Sequence, residues 1–233
     1  MRDVRRRFLK MAGAAGLSGL SAAVGGSARA GSSGEEKEKW RPASEELMLE
    51  HGVVHRMLLV FDEMADWIEA GDQLPSAVND SAAIVDEFIE NYHEELEEQL
   101  IFPALEGAGE HTSMVEQLRR QHEIGRELAG QGYYLLGQGQ ISDAGTRGRL
   151  VSTFRDYARM YRAHAAWEDT VAFAGLREVM GKETFREVSR NIDSIRAEKL
   201  GEDGIQNALG RLRSIEQALG IGNLASYIGR IGA

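Results

Sequence analysis

Residues 92–102 read YHEELEEQLIF, a histidine followed by four glutamates within five positions and then an apolar close. Such a segment is either a solvated acidic face or a helix that aims part of its charge at a cation. Successive residues on an α-helix turn by about 100°, so positions i and i+4 fall about 40° apart. His93 and Glu97 therefore share one stripe. Ile89, Leu96, Leu100 and Ala104 fall within about 60° of His93, which predicts that this stripe faces a core. Glu95 and Glu98 are expected on the solvent side, and Glu94 at the rim between the two.

The same arrangement occurs twice. His51 lies in EHGVVHRML and His122 in QHEIGREL, while His164, in YRAHAAWEDTVAF, is followed four positions later by Glu168. His51 to His93 is 42 residues and His122 to His164 is again 42, so one helical hairpin recurs with an offset of 71. Tyr157, Met160, Trp167 and Val171 are predicted to surround His164 and Glu168 as the apolar residues surround the first pair. Breaks at GDQLPS (71–76), GAGEH (107–111) and GQGQISDAG (137–145) delimit four helices at about 44–70, 77–106, 113–138 and 142–180. Ser113 followed by Glu116 reads as a capping box for the third. Four long helices joined by short loops predict an up-down-up-down bundle.

Composition agrees with an all-α fold. The chain has 233 residues, 42% hydrophobic, and only three prolines, with no strand-like alternation. That length suits one domain with appendages. A formal charge of −10 disfavours nucleic acid and anionic membranes as partners and favours a cation. With no cysteine, a metal site must use nitrogen and oxygen.

Both ends read as additions to the bundle. Residues 1–30 have a basic start, a Gly/Ala/Leu stretch and an Ala28-Arg29-Ala30 ending, the form of a signal peptide. RRRFLK, with Arg5 and Arg6 as the pair and Phe8, Leu9 and Lys10 following, resembles the twin-arginine export signal. That resemblance implies a periplasmic or otherwise extracytoplasmic protein. The glycines leave the segment too weakly apolar for a membrane span, so no stable insertion is expected after cleavage. Cleavage after Ala30 would remove six positive charges and one negative, leaving the mature chain near −15. Residues 31–42 read as a polar linker, 43–180 as the bundle and 181–233 as a helical extension without a ligand cluster, suited to capping the bundle or to a homo-oligomer contact.

Four imidazoles and two carboxylates at one level of a bundle cost several kcal/mol per unpaired charge. Hydrogen-bonded networks offset this in part, but a symmetric set on facing helices is how dinuclear carboxylate sites are built. Iron suits such donors, and manganese is the second choice. A histidine in helix one, H-x-x-x-E with L-I-F-P in helix two, a histidine before G-R in helix three and H-x-x-x-E-D in helix four resemble the hemerythrin-like, or HHE cation-binding, domain. The resemblance implies two iron ions with an oxo or hydroxo bridge, open to a small diatomic or peroxide ligand. It makes His51 and His93 terminal ligands of one iron, His122 and His164 those of the other, and Glu97 and Glu168 the bridges.

Departures from that family bear on function. Oxygen carriers have a fifth histidine four positions before the one in helix three, and Leu118 stands there. Glu94 follows His93 where many relatives carry histidine; as a further metal ligand it would favour the ferric state and oxidation chemistry over reversible oxygen carriage. His55, one turn after His51, competes for that role or packs beside the site, and His111 is expected in an exposed loop. The leading expectation is an exported protein that binds or senses dioxygen, nitric oxide or peroxide. The rival is a diiron oxidase, ferroxidase, peroxide scavenger or iron store, and the dullest reading is a bundle with a polar core.

Overall fold

Helix α1, Ala43–Ala70, opens a computed structural model that describes residues 41–109, 111–137, 141 and 143–227. The expected export segment and residues 31–40 of the linker lie outside the described residues. Leu47, Val54, Met57, Leu58, Phe61, Met64 and Ile68 share one face of α1, at spacings of three, four or seven, and are all buried, each worth about 1.5–3 kcal/mol of transfer free energy. Gly71 ends the helix at φ 83, its N–H donating to the Ile68 carbonyl while that of Asp72 donates to Trp67. This paired closure needs a left-handed residue, which glycine adopts without a Cβ penalty.

The second helix, α2, runs over 76–107 and is not a uniform α-helix. A 3-10 turn, Ser76–Asn79, and one α turn, Asp80–Ala83, lead into π-helical Ile84–Glu94; a second π segment, Glu97–Ile101, precedes α-helical Phe102–Gly107. Pro103 has no N–H to offer the preceding turn, and the Glu98 carbonyl accepts from Arg119 instead. Helix α3, Thr112–Gly137, begins before Ser113, with the His111 carbonyl accepting its first N–H bonds. The predicted capping box is therefore replaced by a start at His111, an exposed residue at φ 55.

Asp143 caps α4, Ala144–Trp167, by accepting from the Thr146 N–H at 2.8 Å. The chain continues as a π turn, Glu168–Ala172, so the predicted helix over 142–180 is interrupted at 173–175 before α5, Leu176–Met180. Helix α4 packs between α1 and α3, with the Phe61 ring stacked on Phe154 at 4.9 Å and edge-on to Tyr157 at 5.0 Å. The result is an all-α bundle of the predicted kind.

Two further helices, α6 (Lys182–Leu200) and α7 (Gly204–Ala218), lie on the outside of α1 and α2. They belong to the same compact unit as α1–α4. Phe185, Ile192, Leu212 and Ile215 supply the apolar contact. Ion pairs tie the edges: Arg56 forks onto both oxygens of Glu216 at 2.8 and 2.5 Å, Arg196 reaches Glu46, and Lys199 reaches Glu95. Ser189 Oγ accepts from the Ala43 N–H at 2.9 Å, so α6 also satisfies a donor at the start of α1. Among the described residues, no helix is long and apolar enough to cross a membrane.

Candidate metal centre

His51 comes from α1, His93 and Glu97 from α2, His122 from α3 and His164 and Glu168 from the end of α4. All six are buried. Glu97 presents Oε1 to His93 Nε2 at 3.4 Å and to His51 Nε2 at 3.9 Å, and Oε2 to His122 Nε2 at 3.4 Å. Glu168 Oε2 lies 3.0 Å from His164 Nε2 and 3.4 Å from His51 Nε2. Each carboxylate thus reaches across both halves of the repeat. The donor atoms fall into two groups able to hold an ion, Glu97-His122-His164-Glu168 and His51-His93-Glu97, with the atoms of each within 4.8 Å of one another.

Each imidazole is fixed by its other nitrogen. His51 Nδ1 pairs with Asp169 at 2.8 Å, His93 Nδ1 with Glu50 at 2.8 Å, His122 Nδ1 with Glu98 at 3.0 Å and His164 Nδ1 with Gln121 at 3.1 Å. An acceptor on Nδ1 selects the tautomer whose Nε2 carries a lone pair and makes that nitrogen a better ligand. These partners obey the repeat: Glu50 and Gln121 are 71 apart, as are Glu98 and Asp169. Phe102 and Phe173 keep the same offset, with rings 5.5 Å from His122 and 5.3 Å from His51.

Among the described residues, all four carboxylate oxygens of Glu97 and Glu168 and the Nε2 of His51 lack a hydrogen-bond partner. His122 Nε2 faces His164 Nε2 at 3.1 Å. Buried polar atoms seldom go unpaired, and a cation among them would satisfy the whole set. The donors therefore fit a metal pair. Burial drives both carboxyls toward the neutral form. At Glu97 it prevails, reinforced by Glu168 and Glu94, and the group sits well above the usual carboxylate range. At Glu168 the adjacent His164 and His51 outweigh burial and hold the group ionised. Burial opposes the charged form of His51, yet Asp169 and Glu168 raise it to about 9. Burial lowers His122 to about 4 against the pull of Glu98, and lowers His93 against that of Glu50.

Glu94 is buried on the His122 side of the cluster, accepting from the Tyr161 hydroxyl and pairing with Arg126 at 2.7 Å. It forms a side group with Glu98 and His122, and burial pushes its carboxyl up to about 8 in spite of Tyr161 and Arg126. The His55 ring is exposed, 6.2 Å from that of His51.

Glu98 corrects the expected helix phase. In a π turn residue i+5 bonds back to residue i, so rotation per residue is smaller than in an α-helix. Glu98, five positions after His93, swings from the expected solvent side onto His122, and Arg126 donates to it at 2.8 Å. Burial would raise its carboxyl, but His122 and Arg126 bring it down to about 2. Glu95 keeps an outer position, paired with Lys199. Trp167, predicted within the core stripe, is 59% exposed.

A family model described as Hemerythrin HHE cation binding domain matches residues 43–174. An uncharacterised protein of Mycobacterium bovis and two of Mycobacterium tuberculosis are each 38% identical over 229 residues, covering 96% of this chain and 90% of the relative. No solved structure matches.

Proposed function

The chain belongs to the hemerythrin HHE cation-binding domain family, and from that premise we propose that it holds two iron ions and binds or senses a small oxidant outside the cytoplasm. The observation that carries this reading is the set of unpartnered, centre-facing atoms on Glu97, Glu168 and His51. His51 and His93 would hold one ion, His122 and His164 the other, and Glu97 and Glu168 would serve both. Bound there, the iron pair supplies a reversible change of oxidation state and an exchangeable position for dioxygen, nitric oxide or peroxide. Asp169, Glu50, Glu98 and Gln121 hold the imidazoles in register, while Phe102 and Phe173 wall the site with apolar surface suited to a small uncharged guest. The leader that residues 1–30 resemble supports export.

A second reading is favoured by charge. Three of the four Nδ1 partners are carboxylates, which raise imidazole basicity and favour the ferric state, so a diiron oxidase or peroxide-consuming enzyme is the rival. Metal analysis of purified, iron-replete protein with its absorption spectrum tests the premise, and about two ions per chain are expected. Anaerobic reduction followed by oxygen exposure separates the readings. An absorbing adduct that releases oxygen under vacuum supports binding, whereas irreversible oxidation with turnover supports the enzyme. Protein without iron overturns both.

A further inference from the structure

Two buried phenols beside the centre have no counterpart in the repeat. Seventy-one positions before Tyr157 and Tyr161 stand Asp86 and Glu90, and seventy-one after Glu94 stands Ala165. On this side alone, the Tyr161 hydroxyl donates to Glu94, the Tyr161 ring lies 5.3 Å from that of His164, and Tyr157 stacks on Tyr161 at 4.4 Å. Helix α3 makes room for this hydroxyl. A Cβ at Gly125 would come within 2.2 Å of Tyr161 Oη.

Tyr157 is buried, and its hydroxyl meets that of Tyr161 without the geometry of a full hydrogen bond. Phenylalanine would fill the same space without desolvating a poorly paired hydroxyl, so the phenol asks for a reason beyond packing. From Tyr157 the rings continue outward. Phe61 stands 5.0 Å away and Tyr133 is 6.4 Å from Phe61, half-buried, with its hydroxyl on Ser81 at 3.2 Å. Tyr92, the other phenol near the ligands, donates to Glu50 and, among the described residues, has Phe88, at 5.7 Å, as its ring neighbour.

We infer that Tyr161 and Tyr157 are a pair of hydrogen-atom donors to the centre, supplying two electrons and two protons when a peroxide is reduced there. The inference rests on the two-iron reading above. Hydrogen peroxide breaks its O–O bond and takes one electron and one proton from each phenol. The products are two waters and two neutral phenoxyl radicals, with no net change in the metal ions. Glu94 accepts the Tyr161 hydrogen bond and so orients this hydroxyl. Tyr133 is the outer end through which a one-electron reductant of the ascorbate or hydroquinone class restores both phenols. The pair thus spares the ligand histidines from the oxidant.

The test uses the full-length chain loaded with iron and oxidised to the ferric state, its iron content measured first, then mixed with hydrogen peroxide and frozen for electron paramagnetic resonance. A free-radical signal that narrows when the protein carries ring-deuterated tyrosine is expected. It should be lost in Tyr161→Phe, weakened in Tyr157→Phe and in Gly125→Ala, and unchanged in Tyr134→Phe, whose side chain is exposed. Peroxide without reductant should leave hydroxylated tyrosine at 157 or 161 in peptide mass spectra. An iron-loaded protein that gives no tyrosyl signal, or the same signal in Tyr161→Phe, overturns the inference while leaving the metal reading intact. A protein that binds no iron overturns both.

Discussion

Asp169, from the π turn that ends α4, accepts from His51 Nδ1 at 2.8 Å across 118 residues of sequence. Its counterpart 71 residues earlier, Glu98, does the same for His122 at 3.0 Å. Both acidic residues directly follow a centre-facing glutamate, and both glutamates open a π segment, Glu97–Ile101 and Glu168–Ala172. The wide turn lets two successive carboxylates serve one site, the first at the centre and the second on the back of a histidine from another helix.

Removing these outer carboxylates should weaken metal binding without abolishing it. Asp169→Ala and Glu98→Ala are each expected to lose about 10–100-fold in iron affinity, the usual cost of a lost partner on a ligand histidine. Asp169→Asn, which keeps an acceptor oxygen, should lose less. Chelator competition measures this, and wild-type affinity in Glu98→Ala would restore the solvent-side reading of that residue.

The bundle, the repeat and the inward set His51, His93, Glu97, His122, His164 and Glu168 were legible in sequence because hydrophobic phase and a fixed offset survive any local distortion. Glu98 and Trp167 were not. Their placement departs from uniform α rotation and a symmetric core stripe, and a π turn announces itself by no residue type. The Nδ1 partners were within reach, since Glu50 and Gln121 immediately precede a histidine and share the offset of 71. Glu94 lay at the rim of the stripe, and only Tyr161, distant in sequence, decides its direction.

Glu97→Gln should stabilise the metal-free protein and abolish loading of two ions. It replaces a buried carboxyl that must take up a proton on folding at pH 7 with an amide that is neutral in both states and can donate to Glu168 or a histidine. A gain of about 1–3 kcal/mol is expected, raising Tm by roughly 2–4 °C per kcal/mol for a chain of this size. Calorimetry and metal analysis on the same sample test both halves, and a lower metal-free Tm would contradict the orphaned state of Glu97.

Metal loading should release protons. At pH 7 the metal-free protein carries a proton on His51, raised to about 9, and on Glu97, raised by burial; as ligands both must lose it. Titration with iron in weak buffer should release about two protons per loaded centre, and affinity should climb as pH rises toward 9. Metal-free stability moves oppositely. The folded pKa of His51 lies above its unfolded value of about 6.5, so its contribution is complete below that pH and is lost as pH rises through about 9. Thermal melts of both forms against pH should diverge over this window, and parallel curves would refute the assignment.

Arg196 tests whether the C-terminal helices only brace the fold or also hold the centre. Its guanidinium reaches Glu46, a buried carboxylate one turn before Glu50, which in turn holds His93. Among the described residues, Arg196→Ala leaves Glu46 with Arg41 alone, at 2.6 Å. Breaking a wholly buried pair costs about 3–5 kcal/mol, and the surviving partner should limit the loss to about 1–3 kcal/mol. Because no ligand or Nδ1 partner is touched, iron content should remain at the wild-type value while Tm falls. If iron were lost along with stability, α6 would have to act through Glu46 and Glu50 on His93, and the extension would count as part of the centre.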